Sequence, residues 1–472
     1  MLPVGGTIFR APALWAGANP GLAKWTVAKF LITVWPIAGH YHPCLAVAKA
    51  LRERGHEVAF FTGARAAAAI EKEGFRRFPF QRTDEAFFES IFYKPQPPTP
   101  WWKPELLVRR ERYTALLLGA LAGQVPDLEE VVASWKPDAM VCDPTFWGPI
   151  LVTQERHRIP LAVFAFVPFC PLPGSAAPPV GLGLPLPKSF LGRCRNGLVG
   201  GLLQLGTARI RGAANALRWE YGLPPLHGSV AAFAGSMPLY VVMGTREFDY
   251  PRPDLPSTVH YVGSCLYHRQ RQGPLPAWLE ETPGGRPWVY VTEGTVNTRA
   301  PLVLSAAAKG LADLPAQVLL ETSQQGGPEQ MGLPPLAPNM RLEHWTNIYY
   351  DDLLPRSRAV VTLGGAGMVV ASLRAGVPMV IIPAEWDKPE VAQRAAEAGA
   401  AIRLPQRSCT PRNLRAAVER VLHEPSFRAN AERLGASFER YRGPAAAAEL
   451  LEAMAASQTG AEAALSAGRK KS

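Results

Sequence analysis

Four short segments carry residue types whose spacing suits chemistry. The first is Ala-Gly-His-Tyr-His-Pro, residues 38–43, which closes the first strongly apolar run of the chain. His40 falls in the turn after that run, where an imidazole titrating near neutral pH can accept a proton from a hydroxyl. His42 directly precedes Pro43, which suits a first helical turn, and reads as a cap or filler. A histidine base needs a carboxylate to fix its tautomer and stabilise the imidazolium. Asp143, which ends the run Ala-Met-Val-Cys, is the candidate, and capping of the following turn is its alternative role.

The other three segments offer binding groups. Val-Thr-Glu-Gly-Thr, residues 291–295, sets Thr292, Gly294 and Thr295 at a strand end. Thr-Leu-Gly-Gly-Ala-Gly-Met, residues 362–368, offers the amides of Gly364, Gly365, Ala366 and Gly367 just before a helix. Backbone N–H groups and a helix dipole can hold a diphosphate without a charged side chain. The segment is neither a Walker loop nor Gly-x-Gly-x-x-Gly, so by pattern alone it is a weak signal. Pro-Ala-Glu-Trp-Asp-Lys-Pro-Glu, residues 383–390, places Asp387 beside Lys388, where the pair either hydrogen-bonds sugar hydroxyls or caps a helix starting at Pro389.

The elements that position these groups follow from periodicity. Residues 30–35 form a strand, a helix runs from Pro43 to about Arg54 with Leu45, Ala48 and Leu51 on one face, and a second strand follows Gly55. That β-α-β unit implies parallel pairing. Strands near 138–142 and 161–166 repeat the pattern. Pro- and aromatic-rich stretches at 93–107 and 167–187 read as loops or small helices able to wall a pocket. After a charged, Pro/Gly-rich stretch at 267–287 a second α/β series begins, with helices at 301–314, 366–375 and 389–398 and more across 411–456. Two doubly wound sheets in tandem place a ligand outside their strand C-termini.

Composition narrows the class. The chain has 472 residues, 47% apolar and 19% charged, so two globular domains are expected. Net charge is +11, spread along the sequence except for a short basic tail, which reads as a basic surface rather than a nucleic-acid site. Six cysteines without a Cys-x-x-Cys pair argue against a disulfide framework or zinc site and for a reducing cytoplasm. No segment has the length of a membrane span, and no basic amphipathic helix stands out. Residues 1–26 read as a loose extension and the Ala-rich end past about 457 as frayed.

Taken in order, Gly-His-Tyr-His-Pro, Val-Cys-Asp-Pro-Thr, Val-Thr-Glu-Gly-Thr, the 362–368 turn and the 383–390 strand end resemble the nucleotide-sugar-dependent glycosyltransferases of small lipophilic acceptors, the macrolide and antibiotic enzymes and their plant and animal relatives. The resemblance covers roughly residues 27–440. It implies the GT-B fold: α/β, two tandem Rossmann-like domains facing across a cleft, with C-terminal helices crossing back to the first domain. The implied domains are 27–266 for the acceptor and 288–440 for the nucleotide sugar, with 267–287 as linker and 441–472 as C-terminal helix and tail.

On that resemblance His40 is the base and Asp143 its orienting acid. Trp345 stacks on the donor's base, Thr295 approaches the diphosphate, and Asp387 binds sugar hydroxyls with Lys388 beside it. The expected reaction is an inverting hexosyl transfer from a UDP- or dTDP-sugar co-substrate, with no cofactor or metal. The expected protein is a cytoplasmic monomer or homodimer. The alternative is a catalytically impaired binding or auxiliary protein of the same fold, because this chain departs from the pattern. Leu363 stands where the family has a phosphate-facing histidine, Met368 where it has Thr or Ser, and Lys388 where it has Gln. The segment after Trp345 is also about two residues longer.

Overall fold

The computed structural model describes residues 27–94, 105–165, 177–268, 273–280, 285–295 and 301–469. The sequence expectations for 1–26, for 95–104 and 167–176 within the two pocket-wall stretches, and for parts of the linker lie outside these residues.

Among the described residues thirteen strands form two sheets. The first contains β1 (Lys29–Thr33), β2 (Glu57–Phe61), β3 (Arg76–Phe78), β4 (Ala139–Cys142), β5 (Leu161–Ala165), β6 (Leu239–Val242) and β7 (Val259–Tyr261), in the order β3-β2-β1-β4-β5-β6-β7. The second contains β8 (Trp288–Thr292), β9 (Gln317–Thr322), β10 (Met340–His344), β11 (Ser357–Thr362), β12 (Met379–Ile381) and β13 (Ala401–Arg403), in the order β10-β9-β8-β11-β12-β13. Every pairing is parallel. Parallel sheets need cover on both faces, and the central strands are accordingly buried along their length. Along β1, Phe30 and Ile32 join one core layer and Leu31 the other, the period of two that a pleated strand imposes.

The strand order reverses direction between β1 and β4 and again between β8 and β11. These switch points are where doubly wound sheets leave a crevice. His40 follows β1 and Asp143 follows β4. Thr292 ends β8, and the 363–367 turn follows β11.

The first helix departs from the sequence expectation. It spans Ala38–Glu53 instead of starting at Pro43, so His40 lies in its first turn and Pro43 inside it. The His40 and Tyr41 amides already bond the Ile37 carbonyl at 2.8 and 3.0 Å, which winds the chain before the proline. Pro43 withholds a donor only from the carbonyl of Gly39, which is exposed to water. The stop comes where expected: Gly55 N–H bonds Arg52 and His56 N–H bonds Leu51, at 2.9 and 3.1 Å. His42 makes no side-chain cap and instead stacks on Tyr267, ring centroids 5.1 Å apart.

The C-terminal helix, Pro444–Arg469, crosses back onto the first domain. Ala447, Ala448 and Leu451 join the core layer of Ala48 and Leu51. Glu452 clamps the far end of the first helix, accepting from Nε and Nη2 of Arg54 at 2.6 Å each and from Nε2 of His56 at 2.7 Å. The helix also runs past the point where the sequence reads as frayed, because alanine, which dominates there, has the highest helix propensity. Core membership crosses the expected linker: Phe248 and Leu279 both pack in the second domain's core. The stretch 93–107 gives way to a long helix, Glu105–Gly119, and a helix at Phe190–Leu205 has a periodicity that glycines dilute in the sequence.

Candidate active site

β1 and β4 are neighbours in register, Thr33 opposite Cys142, so the residues that follow them emerge side by side. The Asp143 amide bonds the Thr33 carbonyl at 3.1 Å, and the Trp35 indole donates to the Thr145 carbonyl at 3.3 Å, tying the two strand ends together. Trp35 is fixed in turn by stacking on Phe88, centroids 5.1 Å apart.

His40 Nδ1 bonds Asp143 Oδ2. The other oxygen of Asp143 accepts from the amide and hydroxyl of Thr145, both at 2.7 Å. The carboxylate is buried, whereas His40 is about one-third exposed. With the Nδ1 proton donated to Asp143, Nε2 is the basic nitrogen. Burial pulls the His40 pKa down, but the charge and hydrogen bond of Asp143, aided by Asp387, overcome that pull and raise it above its ordinary value.

Lys388 and Asp387 thus reach His40 electrostatically from the second domain, Lys388 with the opposite sign. Asp387 precedes the helix Lys388–Glu397 but makes no side-chain cap, so the capping alternative fails for its carboxylate. Burial raises its pKa, and Lys388, its own amide and His40 oppose the rise.

At the second switch point β11 pairs with β8, Thr362 opposite Thr292. Two helix N-termini open there, and they are not equivalent. That of Leu302–Gly310 is occupied internally, because Glu293 Oε1 accepts from the Val303 and Leu304 amides at 2.6 and 3.3 Å. That of Ala366–Arg374 is capped by Gly365 and has no side-chain cap. A Cβ at Gly365 or Gly367 would meet nothing within 4 Å, so the turn borders open space there. Gly364 has φ +87° and packs so close to Ile381 that a Cβ would stand 2.8 Å from its methyl group, which requires glycine. Leu363 packs into the apolar layer beneath β8 and β11. Met368 leans on the core, its sulfur 3.7 Å from the Ser372 hydroxyl that donates to it. Thr295 is half-buried beyond the end of β8. Trp345 is half-buried and opens a short turn after β10, two strands out from the switch point.

Sequence reasoning missed the contacts that hold the two domains together beside this site. Trp386, at φ +67°, lies against Phe92 and Tyr113 with centroids 5.0 and 3.4 Å away. Tyr113 also donates to Glu385 at 2.6 Å. Farther along the same helix, Glu390 Oε1 accepts from the amides of Gly181, Leu182 and Gly183 at 3.0, 3.2 and 2.7 Å. Gly183, at φ +58°, lies so close that a Cβ would meet the Pro389 carbonyl at 2.4 Å. Arg394 stands 2.7 Å from Asp249 and covers the Tyr250 ring. The tripeptide Glu-Trp-Asp, an aromatic beside an acid at a strand end, was the available signal for Trp386.

Among the described residues no group of three or more His, Cys, Asp or Glu could hold a metal ion, and no helix is long and apolar enough to cross a membrane.

The chain as a whole is similar to known proteins. Residues 306–454 match the family model described as erythromycin biosynthesis protein CIII-like, C-terminal domain. Over 429 residues the chain is 33% identical to 4'-demethylrebeccamycin synthase of Lentzea aerocolonigenes, covering 90% of this chain and 99% of the relative. It is 27% identical to TDP-daunosamine transferase DnrS of Streptomyces peucetius, covering 91% and 97%. The solved glycotransferase of kitacinnamycin superposes with a TM-score of 0.68 at 21% identity, covering 91% and 99%, and shares the two-domain GT-B fold.

Proposed function

The chain belongs to the nucleotide-sugar-dependent glycosyltransferases of the macrolide and antibiotic type, and from that premise we propose an inverting transfer of a hexose from a nucleoside-diphosphate sugar to a hydroxyl of a small lipophilic natural product. The observation that carries this reading is the buried Asp143 paired with His40 at one switch point, within electrostatic reach of Asp387 and Lys388 at the other.

In this mechanism His40 Nε2 takes the acceptor's hydroxyl proton as the oxygen attacks the anomeric carbon. The bond from that carbon to the diphosphate breaks on the opposite side, and its electron pair leaves with the phosphate. Negative charge grows on the leaving group, where preorganised donors count most. The amides of Gly365, Ala366 and Gly367, with the helix dipole behind them, meet it there, while the Gly364 amide, expected to join them, is taken by the Thr362 hydroxyl at 3.3 Å. Thr295 adds a hydroxyl, and Trp345 stacks on the base. Asp387 holds sugar hydroxyls, while Lys388 supplies positive charge that Leu363 cannot. The donor is UDP- or dTDP-linked and acts as co-substrate, so the reaction calls on no resident cofactor. The enzyme works in the cytoplasm, in keeping with five described cysteines that are all free thiols, as a monomer or homodimer.

The test is a panel of UDP- and dTDP-sugars, read by saturable binding and slow donor hydrolysis. Binding of at least one donor is expected. Silence toward the whole panel would overturn the reading.

A further inference from the structure

The helix Phe190–Leu205 buries only Asn196. Leu191, Leu198, Leu202 and Leu205, spaced by seven, four and three residues, fall on one face and stand 59–78% exposed. Phe190, 68% exposed, begins the helix. So large an unpartnered apolar face on a folded domain marks a contact surface.

Along the sequence its charge is one-sided. Between Glu155 and Glu220 the sequence contains no Asp or Glu, and every charged side chain there is Arg or Lys. Lys188, Arg193, Arg195 and Arg209 are exposed, and among the described residues none of them forms an ion pair. A second copy seated on this face by a two-fold axis would bring the Lys188, Arg193 and Arg195 flank against its own copy, like charge on like, which disfavours a symmetric dimer. Four glycines within the helix leave the leucine stripe without the varied ridges that a shaped protein groove reads. Leucines along the stripe, an aromatic residue at its start and basic residues alongside are features that seat a helix in the interface of a bilayer.

We infer that this face docks the protein peripherally on an anionic lipid bilayer, with the helix lying in the headgroup plane. The inference is independent of the catalytic assignment. The helix follows the segment whose amides Glu390 and Glu397 hold, so the docked face adjoins the domain junction.

The test uses the full chain with vesicles of phosphatidylcholine alone and vesicles also containing phosphatidylglycerol, read by co-sedimentation. Binding to the anionic vesicles is expected to exceed binding to neutral ones by about tenfold or more and to weaken in high salt. The double variant Leu198→Gln/Leu202→Gln should bind them at least about tenfold more weakly, with melting temperature and donor binding unchanged. Equal binding by the variant, or no binding of the wild type to either vesicle, would overturn the inference. So would a concentration-dependent dimer in sedimentation that the double variant abolishes, since a second copy would then own the stripe.

Discussion

Replacing Asp143 with Asn probes the catalytic pair with little change of shape. Asp143 uses one oxygen for Thr145, through two bonds of 2.7 Å, and the other for His40. In Asp143→Asn the amide oxygen keeps the Thr145 contacts, so the NH2 group turns toward His40 Nδ1. A donor there forces Nδ1 to accept, which moves the ring proton to Nε2, the nitrogen that has to receive the acceptor's proton. A charge-assisted hydrogen bond contributes about 1.5–3 kcal/mol, and loss of a working general base costs about 10²–10⁴ in rate. We expect kcat to fall within that span while donor affinity stays within about threefold, a free-energy difference under 1 kcal/mol. The pH profile should move as well. His40 works in its neutral form, so wild-type activity is lost as pH falls through its raised pKa. Without Asp143 burial acts almost unopposed, and the acidic limb shifts to lower pH. The assay is initial rate against pH with a responsive donor and acceptor. An unchanged acidic limb, or a loss expressed only in donor KM, would refute the pairing as the basis of catalysis.

Other outcomes follow from the same geometry. Leu363→His should tighten nucleoside-diphosphate binding about tenfold by calorimetry if the turn is a working phosphate site, since one charge-assisted contact is worth about that much; no change would make the turn only a corner in the sheet. Trp386→Ala removes two ring contacts worth about 0.5–1.5 kcal/mol each, so kcat/KM should drop about tenfold with a melting temperature lowered only slightly; unchanged kinetics would mean that the aromatic stack does not position Asp387. Glu452→Gln breaks a buried clamp whose Arg54 arm is one-third exposed, so the expected loss at neutral pH is about 2 kcal/mol, read by thermal unfolding. Burial raises the Glu452 pKa, but Arg54 and His56 lower it further, so its stabilisation is present above the ordinary carboxylate range and lost as pH falls through the folded value; the difference from wild type should shrink in acid.

What could be read from the sequence was local. His40 and Asp143 each end an apolar run, and adjacent parallel strands in register bring such ends together without further information. The same logic located Thr292, the 363–367 turn and Asp387. Contacts between segments distant in the chain were hidden. Arg54 and Glu452 lie 398 residues apart, and Tyr113 and Glu385 lie 272 apart, so no periodicity connects them. Glu293 read as part of a binding motif, yet it caps a helix that begins nine residues later, and that contact is what distinguishes the occupied N-terminus from the open one. Pro43 suggested a helix start because proline favours first turns, but Ile37 had already wound the backbone.

On this mechanism His40 deprotonates the acceptor for a single in-line displacement. The most direct measurement pairs the anomeric configuration of the product, read by proton NMR, with the rate of His40→Ala on the same donor and acceptor. Expected are a configuration opposite to that of the donor, and transfer slowed by about 10²-fold or more while donor binding persists. A product that retains the donor's configuration, or His40→Ala transferring at the wild-type rate, would contradict it.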